Sequence, residues 1–225
     1  MNKSVILVAG GSGKRMQSQT PKQFLLLRGR PVLMHTLQVF FRYSQSLHFI
    51  VVLPGNAIEI WKQLCRQYGF TIPHKIATGG SQRFYSVKNG LANIQNDGLV
   101  AVHDGVRPLV SSQTIHDSFS TAEDYGTAVP SVSSCESLRM LTTDGSRAVD
   151  RNTYRLIQTP QVFRAEILKN AYQQPFRPFF TDDASLVEQA GNPIHLVEGN
   201  THNIKITTPE DLAIAETLMQ LQAGE

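Results

Sequence analysis

Four short apolar, β-branched runs punctuate the chain: SVILVA (Ser4–Ala9), FIVVLP (Phe49–Pro54), LVAVHD (Leu99–Asp104) and GTAVPSV (Gly126–Val132). They are near-continuous in apolar residues rather than alternating, as in strands covered on both faces, and helical patterns separate them. The expectation is an α/β fold with a buried, mostly parallel sheet flanked by helices. Between the second and third runs, Ala57, Ile60, Trp61, Leu64, Cys65 and Tyr68 recur at three- and four-residue intervals, one face of a helix, so Trp61 and Cys65 read as core packing. TTPEDLAIAETLMQLQ closes the fold as a helix, with Thr208 as N-cap, Pro209 at the first helical position and acids in the first turn. From about residue 133 to 151 the pattern breaks into polar, strand-prone pieces around the turn TTDGSR (Thr142–Arg147), which suits a hairpin projecting from the sheet. No repeat, low-complexity tract or linker intervenes, so 225 residues predict a single domain over 1–225.

Composition narrows the partners. Hydrophobic residues at 41% and charged residues at 17% describe an ordinary globular chain, and a net charge of +3 is too small to imply nucleic acid. The run Val5 to Ala9 is too short for a membrane span or secretory core, and no later stretch approaches the roughly 18 apolar residues a span needs, so a cytoplasmic protein without a membrane partner is expected. Cys65 and Cys135 lack CxxC spacing, which fits a reducing compartment and suggests neither a disulfide framework nor a zinc site.

The first run leads into VAGGSGKRMQSQTPKQFL (Val8–Leu25). A Walker A loop fails twice here, with Val8 where its first glycine belongs and Arg15 where its hydroxyl belongs; a dinucleotide fingerprint starting at Gly11 fails at Met16. The remaining chemistry is a glycine nest whose backbone N–H groups approach a polyphosphate, with Arg15 and Lys22 supplying charge. A tight turn with solvent-facing cations is the plainer reading, and three glycines with two cations and a Pro-Lys after one buried strand weigh against it.

Further motifs follow in order: GGSQRFYSVKNGL (Gly79–Leu91), VHDGVRPLV (Val102–Val110), VDRNTYRLIQTPQVF (Val149–Phe163), TDDASLVEQAG (Thr181–Gly191) and NIKITTPEDLAIAE (Asn203–Glu216). With the glycine loop, this series resembles the 2-C-methyl-D-erythritol 4-phosphate cytidylyltransferase family over nearly the whole chain. The resemblance implies a Rossmann-like nucleotidyltransferase fold, transfer of CMP from CTP to a sugar-alcohol phosphate with release of pyrophosphate, a divalent metal such as magnesium, and a homodimer built through an arm, for which the hairpin is the natural candidate.

The resemblance also implies roles. Ala9, Gly10, Gly11, Ser12 and Gly13 hold the triphosphate; Arg15 and Lys22 are the catalytic pair that neutralises it, joined by Arg151 and Lys205; Gly79, Gly80, Arg83 and Ser86 select the cytosine ring. Asp104 ends a strand where open α/β sheets place ligands, and its hard oxygens suit magnesium, so it is expected to serve CTP, substrate and metal alike. Gly105, Arg107, Arg151, Thr159 and Lys205 match positions that bind or orient the substrate phosphate, with Arg151 reaching over from the partner subunit. Thr181 is a substrate contact or a helix N-cap preceding Asp182 and Asp183. His103 has no metal-ligand spacing with the other histidines and reads as packing.

Two departures stand out. Ala9-Gly10-Gly11 replaces the family's usual Ala-Ala-Gly, and PSVSSCESLR (Pro130–Arg139) is longer than the usual passage, which leaves Ser137 as its substrate contact by position alone. Ribitol 5-phosphate cytidylyltransferase stays open as an alternative, although VDRN at Val149–Asn152 looks more like the methylerythritol enzyme. A non-catalytic CTP-binding module would have no need of Lys22, Asp104 and Lys205 together. A glycosyltransferase would carry a DxD-type metal motif after a strand, whereas Asp182-Asp183 stands in a capping context.

Overall fold

The computed structural model describes residues 1–10, 20–94 and 98–223, with side chains to 221. In chain order the described elements are β1 (Lys3–Val8), β2 (Leu26–Leu27), β3 (Arg30–Pro31), α1 (Val32–Tyr43), β4 (His48–Leu53), α2 (Ile58–Gln67), β5 (Lys75–Thr78), α3 (Arg83–Leu91), β6 (Leu99–Asp104), α4 (Ser112–Tyr125) and β7 (Thr127–Ser133). The hairpin β8 (Leu138–Thr142) and β9 (Gly145–Val149) follows, then β10 (Arg155–Ile157), β11 (Gln161–Arg164), α5 (Ala165–Ala171), α6 (Asp183–Gln189), β12 (Leu196–Glu198) and α7 (Pro209–Ala223). The main sheet runs β10-β7-β11-β6-β1-β4-β5, with β12 added alongside β7.

The four apolar runs are strands for the reason their pattern suggests: both faces are covered. Val5 and Leu7 of β1, Val51 of β4 and Ala101 of β6 join Phe40 of α1, Trp61 of α2 and Phe119 of α4 in one cluster. Ile6, Val52 and Val102, the alternate positions, join Val87 of α3, Leu168 of α5 and Leu186 of α6 on the other face. Each such side chain contributes about 1.5–3 kcal/mol on full burial, so a polar residue in either alternating set would be costly.

The sheet is mixed, though mostly parallel. β4, β1 and β6 run parallel, as do β5 with β4 and β12 with β7, whereas β11 is antiparallel to both β6 and β7 and β10 is antiparallel to β7. The helix expected over 57–68 is α2, with Trp61 fully buried and Cys65 half-buried. Ile60 departs from expectation: it is 43% exposed, off the face that Trp61 anchors against Phe24. Burial pushes the Cys65 thiol up to about 11, so it is an inert packing group. At the head of α7 the Asp211 carboxylate accepts the backbone N–H groups of Thr207 and Thr208, a reciprocal cap that complements Thr208. The hairpin forms its own two-stranded sheet, closed between Thr142 and Gly145, outside the main one. No helix among the described residues is long and apolar enough to cross a membrane.

Candidate functional site

The carboxyl ends of β1, β4, β5 and β6 share one edge, where chain reversals in parallel sheets leave a crevice. There a cavity of about 390 Å³ is walled by Ala9 and Gly10 after β1, Gly80 after β5, Arg83 and Ser86 of α3, Asp104, Lys22 and Lys205. A larger hollow of about 510 Å³ lies at the opposite edge, among Ser4, His48 and Lys75. Among the described residues no carboxylate lines it, and it sits at strand starts, so the smaller cavity, with Asp104 among three cations, is the functional candidate.

Asp104 is the centre of the site. The chain leaves the sheet directly after it, as Gly105 N–H donates to the Val8 carbonyl and its carbonyl accepts the buried Thr36 hydroxyl at 3.0 Å. A Cβ at Gly105 would stand 3.1 Å from that of Ala9, so this close passage of two strand ends is tight for any side chain. Asp104 is 6% exposed and meets Arg107 Nε at 3.1 Å, Lys205 Nζ at 3.1 Å and Arg83 Nε at 3.9 Å. Lys205 is brought there because Ile206 N–H donates to the Val106 carbonyl, and the Arg107 guanidinium also donates to the Asn203 carbonyl at 2.7 Å. Burial by itself disfavours the Asp104 anion, but Lys205, Arg83 and Arg107 outweigh it and hold the carboxyl well below the usual range. Asp104 is therefore ionised and too weak a base to take a proton at neutral pH.

Arg83 is held from behind. Its guanidinium donates to Asp183 at 2.6 Å, and Asp183, fully buried, also accepts the Tyr172 hydroxyl at 2.6 Å. Burial opposes the Arg83 cation, but Asp183 and Asp104 more than compensate, so it stays charged. Gln161 supports this network, its carbonyl oxygen taking the N–H groups of Asp183 and Ala184 and its amide donating to Asp182. The N-cap of α6 is Asp182, accepting the Ser185 N–H at 2.9 Å; Thr181, read as either a substrate contact or this cap, is one residue early and exposed.

The glycines gather around one hydroxyl. Cβ atoms at Gly10 and Gly79 would lie 3.1 and 3.2 Å from Ser86 Oγ, and one at Gly80 would meet the Tyr85 Cβ at 2.3 Å. The Ser86 hydroxyl accepts the Gly80 N–H and donates to the Gln82 carbonyl, and the Gly79 N–H donates to the Leu53 carbonyl. Lys22 sits in a one-turn 3-10 helix, Lys22–Phe24, fastened to β1 because the buried Gln23 amide donates to the Ala9 carbonyl. Lys22 Nζ lies 3.5 Å from the Ile206 carbonyl.

Several expected residues stand elsewhere. Gly11, Ser12, Gly13 and Arg15 fall outside the described residues. Ser137 and Arg151 are exposed at the base of the projecting hairpin, where the Arg151 guanidinium donates to the Cys135 carbonyl, away from the cavity of their own chain. Thr159 is buried on the backbone side of Asp104. His103 is a fully buried packing residue with an edge-on contact to Phe40, its imidazole pushed down to about 4 by burial. Sequence reasoning missed Gln23, Gln161, Asp183 and Asn203 as supports. All lie inside the quoted motifs, yet a buried Gln or Asn carries no periodic signal.

Among the described residues no group of three or more His, Cys, Asp or Glu side chains forms a metal cluster. A single carboxylate suits magnesium, which takes one or two carboxylates and fills its octahedron with phosphate oxygens and water. Asp104 Oδ2 is shared by Arg107 and Lys205, so Oδ1, with its longer contact to Arg83, is the oxygen open to such an ion.

The family model for 2-C-methyl-D-erythritol 4-phosphate cytidylyltransferase (IspD) matches residues 4–221. The protein of that name from Bacteroides thetaiotaomicron is 55% identical over 219 residues, covering 97% of this chain and 100% of the relative; that from Bacteroides fragilis is 52% identical with the same coverage. Among solved structures, 2-C-methyl-D-erythritol 4-phosphate cytidylyltransferase from Thermus thermophilus aligns with a TM-score of 0.79 at 32% identity, over 98% of this chain and 100% of that one. The 4-diphosphocytidyl-2C-methyl-D-erythritol synthase from Anaerococcus prevotii aligns at 0.83 and 27% identity, over 97% and 96%. With sequence match and architecture in agreement across the whole length, the chain belongs to the 2-C-methyl-D-erythritol 4-phosphate cytidylyltransferase family.

Proposed function

We propose that the cavity around Asp104 is where this cytidylyltransferase joins CTP to 2-C-methyl-D-erythritol 4-phosphate, with the triphosphate on the Ala9–Gly10 side and the acceptor phosphate near Lys205 and Arg107. The CTP-dependent reaction follows from the family. The observation that carries the placement is the convergence of Arg83, Arg107 and Lys205 on one buried carboxylate at a strand end. Asp104 and Asp183 together supply two negative charges against the three of Arg83, Arg107 and Lys205, so the site is built for added negative charge.

An oxygen of the acceptor phosphate attacks the α-phosphorus of CTP, the bond from that phosphorus to the bridging oxygen breaks, and pyrophosphate leaves. The nucleophile is already anionic, so no general base is required, which agrees with an Asp104 too acidic to act as one. The difficulty is repulsion: at 4 Å one unit-charge pair costs on the order of 1 kcal/mol in water and about 4 at an effective dielectric of 20. Lys22 and the described cations offset it, and phosphoryl-type transfer draws most of its catalysis from such positioning and charge. Ser86 and the backbone at Gly79 and Gly80 read the cytosine edge. A bound magnesium, held by Asp104 and phosphate oxygens, would neutralise the triphosphate.

The acceptor side is completed by a second copy, placing the partner's Arg151 and Ser137 over the acceptor. This is supported by the exposed apolar residues on and beside the hairpin, Leu141 at 84% and Leu156 at 50%, and by Arg151, which bonds the Cys135 carbonyl and is not among the described residues that line its own cavity. The chain is read as a cytoplasmic homodimer. The test is pyrophosphate release from CTP and magnesium with methylerythritol phosphate and ribitol 5-phosphate side by side. Release with the first is expected; release with neither, or preference for ribitol, overturns the reading.

A further inference from the structure

His103 is fully buried in β6 next to Asp104, and the transfer has no step for its imidazole. Both ring nitrogens are nonetheless engaged. Nε2 lies 3.0 Å from the Arg107 carbonyl, which can only accept, so this nitrogen carries a proton. Nδ1 lies 3.0 Å from Thr159 Oγ1, and that hydroxyl oxygen accepts the Asp104 backbone N–H at 3.1 Å. In the neutral ring Nδ1 is the acceptor, so the partners assign the Thr159 proton to His103 and a Thr159 lone pair to Asp104. Thr159 is fixed in turn by Asn203, whose amide donates to its carbonyl at 2.8 Å.

We infer that His103 and Thr159 form a positioning relay for the turn from Asp104 to Arg107: His103 holds the Arg107 carbonyl at one end and Thr159 holds the Asp104 amide at the other. That turn bears both the carboxylate and a guanidinium of the site, so the relay sets the distance between them. Thr159 thereby acts through Asp104, its hydroxyl proton committed to the ring, rather than as a phosphate donor. A displacement of about 1 Å in such a site can cost roughly a hundredfold in rate, which is the leverage the relay holds. The inference rests on the roles proposed above for Asp104 and Arg107.

The test is a set of kinetic variants. Thr159→Val keeps the shape and removes the hydroxyl; kcat should fall by about ten- to a hundredfold, with KM for CTP and for acceptor changed less than about threefold and the unfolding midpoint nearly unmoved. Thr159→Ser should retain activity. His103→Phe should match Thr159→Val, and the double variant should fall no further, since both break one chain of bonds. A loss in Thr159→Val confined to acceptor KM, or losses that multiply in the double variant, would overturn the relay. If His103→Phe does not fold, the Val and Ser variants at position 159 decide alone. Asp104→Asn separates the two levels. An unaffected Asp104→Asn removes the site reading, whereas an inactive Asp104→Asn beside an unaffected Thr159→Val removes only the relay.

Discussion

The cavity and the projecting hairpin carry similar charged side chains and hold them by different means. At the cavity, Asp104 meets three cations, and Arg83 is locked against an Asp183 that is fully buried and bonded to Tyr172. On the hairpin, Arg139 bonds Ser146 across the strands in the open, Leu141 is exposed, and Arg151 reaches a backbone carbonyl. A buried charge without its partner costs several kcal/mol, whereas an exposed pair is worth about 0–1 kcal/mol. Folding therefore enforces the cavity's geometry, while no buried partner fixes these side chains of the hairpin.

The contrast breaks most sharply in activity. Lys22→Ala should lower turnover at least about a hundredfold with the circular dichroism spectrum unchanged, the size expected when a group that stabilises developing charge is removed. Near-normal turnover would detach the cavity from the chemistry. If the hairpin serves the partner's cavity, Arg151→Ala and Asp104→Asn subunits, each inactive alone, should recover about a quarter of wild-type activity when unfolded and refolded together in equal amounts, since half the dimers then carry one intact site. No recovery on mixing would return Arg151 to its own chain.

Global stability should respond at the cavity alone. Asp183→Asn leaves Arg83 facing a neutral group and should cost about 3–5 kcal/mol in denaturant unfolding, against an effect near zero for Arg139→Ala on the hairpin. The same network has an alkaline signature. Burial and the neighbouring Asp183 raise the Tyr172 phenol above its ordinary 10.0, so the unfolded chain releases a proton that the folded chain retains. The contribution is complete below pH 10 and should be lost as pH rises beyond it, on the order of 1 kcal/mol per pH unit. Tyr172→Phe should flatten that slope. The most local effect belongs to the hairpin turn, where Gly145 has φ of +137°. Gly145→Ala should strain the turn by about 1–3 kcal/mol locally, seen as faster amide exchange in β8 and β9, with the main unfolding midpoint unchanged.

Much of the framework was legible because its signals are local. LVAVHD is apolar up to the residue where the chain must leave the sheet, and it became β6 ending on Asp104. The Asp-Gly turn in TTDGSR marked the hairpin, and Pro209 marked the start of α7. What stayed hidden has no period and no fixed spacing. The short strands β10, β11 and β12 owe their existence to β7 and β6 being there to pair with. Thr181 read as a substrate contact or a cap with Asp182 in the first turn, whereas Asp182 itself is the cap, its carboxylate also taking the Gln161 amide.

The sequence by itself determined the doubly covered strands, the loops at their carboxyl ends and, through an ordered series of motifs, the family and its reaction. Those depend on residue type and order, which a linear pattern carries. Only the tertiary structure decided that Asp183 from a distant helix backs Arg83, that Lys205 and Arg107 share one oxygen of Asp104, and that His103 and Thr159 face each other behind it. Such pairings join residues a hundred or more positions apart in two of these cases. Their energy comes from the low-dielectric interior that only the folded chain creates, and hydrogen-bond geometry there selects partners that sequence separation does not reveal.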